Sequence, residues 1–331
     1  MCCVAASRTW RTPLLTPDPE LGRPFPEQDY LREDESGNGF ALRMAGRNGL
    51  AFSDLTNMLE SQGHRYLSCG SAKYLAYLFG GDPVALMLAT PRLVRIEGRG
   101  GVAFKGAMLT RPYLVRHAWP RVCPLCLLES GYAKAYWELS IATACWRHGV
   151  SLIDECLYCE RPISWRRPEM LACHCGASFV DQGLEAASQQ EVELCGCLDR
   201  KLTKIATPSV APARQLFEGL SLNILMRLIW SLGIWSLMPM GRAVPGKVSR
   251  APDVAQAKRL VGAALAELDA VELDAGGGLR LWVGADLASD ITAHEAALLS
   301  VHLPAIVGAD GGINRLVLAQ STLDFGGEGN A

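Results

Sequence analysis

The sequence predicts a mainly α-helical protein with a cysteine-rich middle. Three observations lead to this prediction. Short amphipathic patterns that end at glycines fill residues 39–90, and longer helical patterns begin near Asp199. Between them lie seven of the 12 cysteines, all within residues 123–175. Hydrophobic residues make up 49% of the 331 residues, which is enough apolar material for the cores of about two domains.

The first part of the chain divides into an arm and a helical domain. Residues 1–38 are predicted to form an extended arm, because they contain five prolines and no sustained hydrophobic period. Residues 39–105 are predicted to form a helix-turn-helix-like domain of about four short helices. Asn-Gly and Gly-Gly steps stop these helices, and Asp82-Pro83 starts the last one. A glycine-rich hairpin is expected after Arg95.

Charge is distributed unevenly along the chain. The net charge of the whole chain is −2, but residues 39–121 carry 11 basic and 4 acidic side chains, a net charge of +7. A positive surface attracts phosphate groups, so this segment is the candidate DNA-binding region. A solvated basic face has the same composition and stays open as the alternative. The candidate phosphate contacts are Arg43, Arg47, Lys73, Arg92, Arg95 and Arg99.

Most of the cysteines form two sets with the spacing of metal ligands. In each set a C-x-x-C pair is followed, after 18 or 13 residues, by a second pair of ligands. A C-x-x-C turn points two sulfur atoms at one ion, and the second pair completes the tetrahedron that structural zinc prefers. The predicted ligands are Cys123, Cys126, Cys145 and His148 for one ion, and Cys156, Cys159, Cys173 and Cys175 for the other.

Two structural zinc ions are expected rather than disulfides, because the chain shows no recognisable export signal. Residues 106–190 are therefore predicted to form a central tandem zinc-finger module with short β-hairpins. Three alternatives stay open: His174 replaces a cysteine, Cys195 and Cys197 supply the last pair, or the two pairs of knuckles are cross-braced. The cysteines expected to be free or buried thiols are Cys2, Cys3 and Cys69.

Residues 191–331 are predicted to form a helical C-terminal domain that docks on other proteins. Residues 177–331 carry a net charge of −5, which disfavours nonspecific DNA binding. The apolar run from Ser221 to Met240 is expected to be a buried helix, since only 14 uncharged residues lie between Arg227 and Arg242 and a membrane helix needs about 20. We therefore expect a cytoplasmic protein without a membrane contact.

The sequence fits none of three kinds of enzyme. Gly241–Ser249 nearly matches a phosphate-binding loop, but Val248 stands where the hydroxyl that binds magnesium belongs. His294-Glu295 lacks the second histidine of a zinc hydrolase motif. The acidic residues are scattered rather than clustered, so no two-metal nuclease or transposase site is apparent. We predict that the chain is not an enzyme.

The cysteine-rich module resembles the TniQ family of transposition proteins, which includes the TnsD-type target selectors. The resemblance rests on the CPLC and CWRH motifs with Trp137 between them, on the leucine and acid that follow His148-Gly149, and on the later CLYC and CHCG motifs. DESGNGFALRMAGRNGL is similar to the opening helix of that family, which more often has serine and tryptophan where SGNG stands here. The resemblance covers residues 24–180.

The resemblance implies a non-catalytic adaptor in DNA transposition. Family members choose the insertion site of a transposon, either by reading attachment-site DNA or by docking, as dimers, on an RNA-guided CRISPR effector. They hand the site to an AAA+ ATPase regulator, which recruits the transposase. For this chain the resemblance implies an AAA+ ATPase partner, a DNA or CRISPR effector contact, and a homodimer. A zinc-containing DNA-binding transcriptional regulator is the alternative that the basic helical segment suits equally well.

Overall fold

The computed structural model describes residues 22–60, 64–205, 215–237, 251–273 and 290–302. These residues are mainly helical, with two small antiparallel sheets, as predicted. The strands are β1 (Arg92–Ile96), β2 (Arg99–Phe104), β3 (Ala107–Leu109), β4 (Ala144–Cys145) and β5 (Val150–Ser151). The helices are α1 (Gly37–Arg47), α2 (Phe52–Leu59), α3 (Ala72–Phe79), α4 (Pro83–Leu88), α5 (Pro124–Ser130), α6 (Gln189–Thr203), α7 (Gln215–Gly219), α8 (Leu222–Leu237), α9 (Val254–Leu273) and α10 (Ala293–His302).

Helix α1 begins two residues earlier than the pattern suggested, because Ser36 caps it. The Ser36 hydroxyl accepts a hydrogen bond from the amide of Gly39 at 3.3 Å. The glycines of this turn allow close packing: a Cβ at Gly37 would lie 2.2 Å from Thr90 Oγ1, and one at Gly39 would lie 2.9 Å from the Ala133 Cβ. The SGNG sequence therefore brings the start of α1 against both α4 and the cysteine-rich module.

The described part of the arm is not free but lies along α3. The amide of Phe25 donates to the carbonyl of Leu78, and the amide of Asp29 donates to the carbonyl of Phe79, both at 2.9 Å. The rings of Phe25 and Phe79 stack with centroids 5.3 Å apart. The arm is thus held against α3 by backbone hydrogen bonds, which a hydrophobic period in the sequence does not predict.

The expected hairpin is part of a three-stranded sheet in the order β1-β2-β3. Both of its turns have two residues with positive φ: Glu97-Gly98 with φ of 49° and 79°, and Lys105-Gly106 with φ of 49° and 76°. Such turns match the twist of the strands that they join. The predicted domain boundary between residues 105 and 106 falls in the second turn, so both predicted domains share this sheet.

Helix α6 packs on the cysteine-rich module. Its start is fixed by a capping box in which Ser188 accepts from the amide of Glu191, and the Glu191 carboxylate accepts from the amide of Ser188. The predicted boundary between residues 190 and 191 lies inside this helix. Leu194 and Leu198 are fully buried on the face that meets β4, so α6 packs against the core of the module.

Helices α8 and α9 form a closely packed pair. A Cβ at Gly233 would lie 2.2 Å from the carbonyl oxygen of Leu260, so only glycine permits this approach. The apolar residues of α8 are largely buried, as predicted, and Arg227 pairs with Asp290. None of the described helices combines the length and the apolar character that a bilayer span requires.

A buried ion pair fastens α1 to the arm. The Arg43 guanidinium donates to both carboxylate oxygens of Glu35, at 2.8 and 2.9 Å, and to Asp29 at 2.7 Å. The Arg43 side chain is 10% exposed and the Glu35 side chain is 0% exposed. Because both charges are buried, removing one partner leaves the other without compensation. Arg47 makes similar contacts to Asp29 and Glu27, but its side chain is 44% exposed.

We predict that Arg43→Ala lowers the free energy of unfolding by about 3–5 kcal/mol, the usual effect of breaking a buried ion pair. Arg47→Ala is the matched control and is expected to lower it by less than about 1 kcal/mol, since that pair is exposed. Urea unfolding of the two variants measures both values. Equal losses in the two variants would contradict the structural role given to Arg43.

Candidate metal centres

The first cluster joins the start of α5 to the β4–β5 hairpin. Cys123 is the N-cap residue of α5, Cys126 lies in its first turn, Cys145 ends β4 and His148 lies in the hairpin. The Nδ1 atom of His148 is 3.5, 3.3 and 3.4 Å from the sulfur atoms of Cys123, Cys126 and Cys145. Gly149 has a φ of 65°, which lets the chain turn back into β5 immediately after the histidine.

The histidine of this cluster is held by a carboxylate. The Nε2 atom of His148 is 2.9 Å from Glu129 Oε1, and Glu129 lies one helical turn after Cys126 in α5. An imidazole that binds metal through one nitrogen commonly donates the proton of the other to a carboxylate, which fixes its tautomer and orientation. Sequence analysis missed Glu129, although its position three residues after Cys126 on a helix was the available signal.

The second cluster consists of four sulfur atoms. The sulfur atoms of Cys156 and Cys175 are 3.8 Å apart, and those of Cys159 and Cys173 are 3.7 Å apart. Within each of the two clusters, all four candidate ligand atoms lie within 4.8 Å of one another. Backbone amides reach into the site: burial raises the pKa of Cys156, but hydrogen bonds from the amides of Cys159 and Tyr158 outweigh it and lower the pKa to about 7. These amides favour the thiolate form, which is the form that binds metal.

A fully buried arginine supports this second cluster. The guanidinium of Arg167 lies over the rings of Trp165 and Phe179, at 5.5 and 5.8 Å from their centroids. It also donates to the carbonyl oxygens of Ser164 and Glu169, at 3.0 and 3.2 Å. Burial lowers the pKa of Arg167 to about 9. The arginine closes the loop before Cys173 around an aromatic core, so the ligand positions are set by packing as well as by any ion.

The distances in both clusters fit a tetrahedral ion. Zinc with Zn–S bonds of about 2.3 Å and a Zn–N bond of about 2.0 Å places ligand sulfurs about 3.8 Å apart, and sulfur and nitrogen about 3.5 Å apart. The observed S–S distances are 3.5 Å in the first cluster and 3.7 and 3.8 Å in the second, and the S–N distances are 3.3–3.5 Å. Thiolate and imidazole ligands in this number are typical of structural zinc.

The electrostatics of the first cluster also call for a cation. Hydrogen bonds with Cys123 and Cys126 lower the pKa of Cys145 to about 2. Hydrogen bonds with Cys123 and Cys145, together with burial, raise the pKa of Cys126 far above its ordinary value. Three adjacent sulfur atoms therefore do not all ionise on their own. A divalent cation supplies the positive charge that allows all three to be thiolates.

The alternatives left open by the spacing have different outcomes. The ligand sets follow chain order, so the knuckles are not cross-braced. Cys195 and Cys197 lie in the core of α6, and the amide of Ala144 donates to Cys195 Sγ at 3.4 Å. His174 Nδ1 is 3.4 Å from Cys173 Sγ, but its Nε2 faces Arg161 at 3.1 Å. Cys69 is a half-buried thiol that forms no disulfide bond. Cys2, Cys3 and the near-match to a phosphate-binding loop at Gly241–Ser249 lie outside the described residues.

The acid of the His294-Glu295 pair has a structural position. The Glu295 carboxylate accepts from the amide of Thr292 at 3.0 Å and from the amide of Ser221 at 2.9 Å. It therefore caps α10 and joins that helix to the start of α8. Hydrogen bonds to these two amides outweigh burial and lower the pKa of Glu295, so it remains ionised in this role.

The structure separates the candidate DNA contacts by environment. Arg43 and Arg47 pair with carboxylates of the arm, as described above. Lys73 lies over the ring of its neighbour Tyr74, at 4.4 Å from the centroid. Arg92 and Arg95 are exposed on β1, and Arg99, also exposed, begins β2 directly opposite Ile96. Of the predicted set, Lys73 and the three arginines of the sheet are exposed and form no ion pair among the described residues, and the arginines lie together on one hairpin.

We predict that protein purified without added metal contains two zinc ions per chain, because each cluster supplies a complete set of four ligands. Cys123→Ser and Cys156→Ser are each expected to lose one ion. Glu129→Gln, which keeps all ligands but loses the carboxylate that orients His148, is expected to retain both ions and to bind the first about tenfold more weakly. Elemental analysis and competition with a chromophoric chelator measure these values. Fully folded wild-type protein without zinc would contradict the prediction.

Comparison with known protein families gives a match over the residues that carry the first cluster. No curated protein matches the sequence. The family model TniQ matches residues 30–152, which run from the arm through α1–α5 to the end of the β4–β5 hairpin. The matched region thus contains the buried Arg43–Glu35 pair, the three-stranded sheet and all four ligands of the first cluster. TniQ proteins are associated with transposition and generally act as adaptors. The chain is therefore similar to the TniQ family over residues 30–152.

Proposed function

We propose that the chain is a non-catalytic adaptor in DNA transposition, which selects or marks the target site and recruits an AAA+ ATPase regulator and a transposase. The observation that carries this proposal is the TniQ match over residues 30–152. The matched residues are continuous in space as well as in sequence. Ser36 at the start of α1 donates to Glu138 of the cysteine-rich module, and Lys134 of that module pairs with Asp34 of the arm at 2.6 Å.

The chemistry of the two clusters supports an adaptor rather than an enzyme. Each cluster offers four protein ligands to one ion. A zinc ion with four protein ligands has no open position at which to bind and activate water, so it stabilises the fold instead of catalysing a reaction. Such a protein functions by binding other molecules through the surfaces that the zinc sites hold in place.

The proposed DNA contact lies on the sheet before the first cluster. Arg92, Arg95 and Arg99 are exposed there, and they belong to the segment with a net charge of +7. The zinc sites themselves disfavour phosphate: three thiolates and Zn²⁺ sum to −1, and four sum to −2. Arg43 and Arg47 are left out of this contact, because their guanidinium groups are bound by carboxylates of the arm.

The C-terminal part of the chain is the proposed site of docking and dimerisation. Helices α8 and α9 bury most of their apolar residues against each other, and Leu237 at the end of α8 is 51% exposed. The acidic character of residues 177–331 suits a protein partner better than DNA. The proposed partners are the AAA+ ATPase regulator and a second copy of the chain. If the chain does not bind the target DNA itself, the proposed third partner is a CRISPR effector that does.

A pull-down with the proteins encoded beside its gene tests the adaptor proposal. Full-length, zinc-loaded protein is expected to retain the AAA+ ATPase, and a Cys123→Ser variant is expected to lose this binding together with the first zinc site. Binding to an operator upstream of a metabolic gene, with no ATPase or transposase gene nearby, would instead favour the transcriptional regulator. The exposed arginines of the sheet suit that second function equally well.

We predict that the double variant Arg92→Ala/Arg99→Ala, which removes two arginines from the same face of the hairpin, weakens DNA binding about equally for all sequences and reduces the salt dependence by about two units, one per lost phosphate contact. Arg147→Ala is the control, since Arg147 is 59% exposed but lies on the zinc-finger module. Fluorescence anisotropy at several salt concentrations measures the slope. An unchanged slope in the double variant, or an equal reduction in Arg147→Ala, would remove the sheet from the DNA contact.

A further inference from the structure

A pocket of about 240 Å³ lies beside the first zinc site and outside the surfaces described so far. One wall is the outer side of the first cluster, at Cys126 and Cys145, with Trp146 next to them. The second wall is the Asp34–Lys134 pair, and the third is the C-terminal half of α6 at Asp199. The pocket is therefore formed where the arm, the zinc-finger module and α6 meet.

Asp199 has a buried carboxylate oxygen that accepts no hydrogen bond from the residues around this pocket. The residue is 3% exposed. Its Oδ2 atom accepts a hydrogen bond from Trp146 Nε1 at 2.9 Å, but its Oδ1 atom has no hydrogen-bond partner and is shielded from bulk water. A buried carboxylate oxygen without a donor is energetically unfavourable, whereas the same oxygen becomes favourable when a positively charged donor enters.

The walls of the pocket attract a cation. Lys134 is already bound by Asp34 at 2.6 Å, and Arg147, which also lines the pocket, pairs with Glu129 at 3.5 Å, so these two pairs contribute little net charge. The first cluster with its ion carries −1, and Asp199 adds a further negative charge when ionised. With both pairs neutralised, the remaining carboxylate of Asp199 favours a cation over a phosphate group. The volume excludes most drug-sized ligands, whose pockets usually measure about 300–1,000 Å³, but is sufficient for one side chain.

We propose that this pocket binds the guanidinium group of an arginine side chain presented by a partner polypeptide. A guanidinium has forked donors that match a carboxylate, and its planar face is attracted to aromatic rings. The pocket offers both kinds of contact, since Tyr136 and Trp146 line it together with Asp199. The proposal does not depend on transposition, because any partner that carries an exposed arginine meets these requirements.

The competing explanation is that Asp199 is simply protonated. Burial raises its pKa to about 7, and a neutral acid needs no cationic partner. Asp199→Asn separates the two explanations, because asparagine has the shape of the neutral acid and lacks its negative charge. If Asp199 serves the fold as a neutral acid, the substitution leaves ligand binding unchanged. If Asp199 binds an arginine, the substitution weakens binding.

The test follows the indole N–H signal of Trp146 by NMR in zinc-loaded, full-length protein, with Trp146→Phe used to assign the signal. Nα-acetyl-arginine amide is expected to shift this signal saturably, and the citrulline analogue, which has the same shape without the charge, is expected not to shift it. Asp199→Asn is expected to weaken arginine binding by about tenfold or more, the usual effect of losing a charge-assisted hydrogen bond. Zinc content and thermal stability confirm that the variant is folded.

Three results would overturn the proposal. One is an equal response to the arginine and citrulline compounds in the wild-type protein, a comparison that needs no variant. Another is equal affinity of wild type and folded Asp199→Asn for the arginine compound. The third is tighter binding of spermidine than of the arginine compound, which would assign the pocket to free polyamines instead of to an arginine side chain.

Discussion

Two clusters of cysteine and histidine side chains organise a segment that has little regular secondary structure of its own. Between α5 and α6 the regular structure is limited to one turn of 3-10 helix at Ala135–Glu138 and the two-residue strands β4 and β5. Hydrogen-bonded ladders this short cannot by themselves balance the entropy of ordering the segment. Structural zinc contributes on the order of 10 kcal/mol to the folding of small domains, which is enough to hold this segment in one conformation. The helices around it are positioned by that conformation.

Buried polar contacts then join the flanking elements to the cysteine-rich module. Glu138 is fully buried and receives the Ser36 hydroxyl from the start of α1, and desolvation raises its pKa to about 8. Arg121 is also fully buried and donates to the carbonyls of Leu139, Ser140 and Ala142 at 2.8–2.9 Å and to that of Pro252 at 2.8 Å. These contacts extend from the arm to the residues before α9. The module is therefore the centre of the described fold and not a separate appendage.

How much of this could be predicted from the sequence depends on whether the signal is local. The eight cluster residues, which the structure brings together in two groups, were predicted from spacing alone, because C-x-x-C pairs followed by a second pair have the typical spacing of zinc ligands. The short helices were found from caps and glycine stops. The third strand and the packing of α6 on β4 were missed, since both are set by contacts distant in sequence. Arg43 is the clearest example of a residue whose environment could not be predicted. The composition of its segment assigns it to a basic surface, but its guanidinium forms an ion pair with the buried Glu35 eight residues earlier.

The central claim is that both clusters hold zinc through complete sets of four protein ligands, and X-ray absorption at the zinc edge tests it most directly. One site with three sulfurs and one nitrogen and one site with four sulfurs average to about 3.5 sulfur and about 0.5 nitrogen neighbours per zinc, with sulfur at about 2.3 Å. We predict this average for the full-length protein. An average of three sulfurs or fewer with additional oxygen neighbours would show that at least one site is open to solvent, and would contradict the structural role on which the adaptor proposal rests.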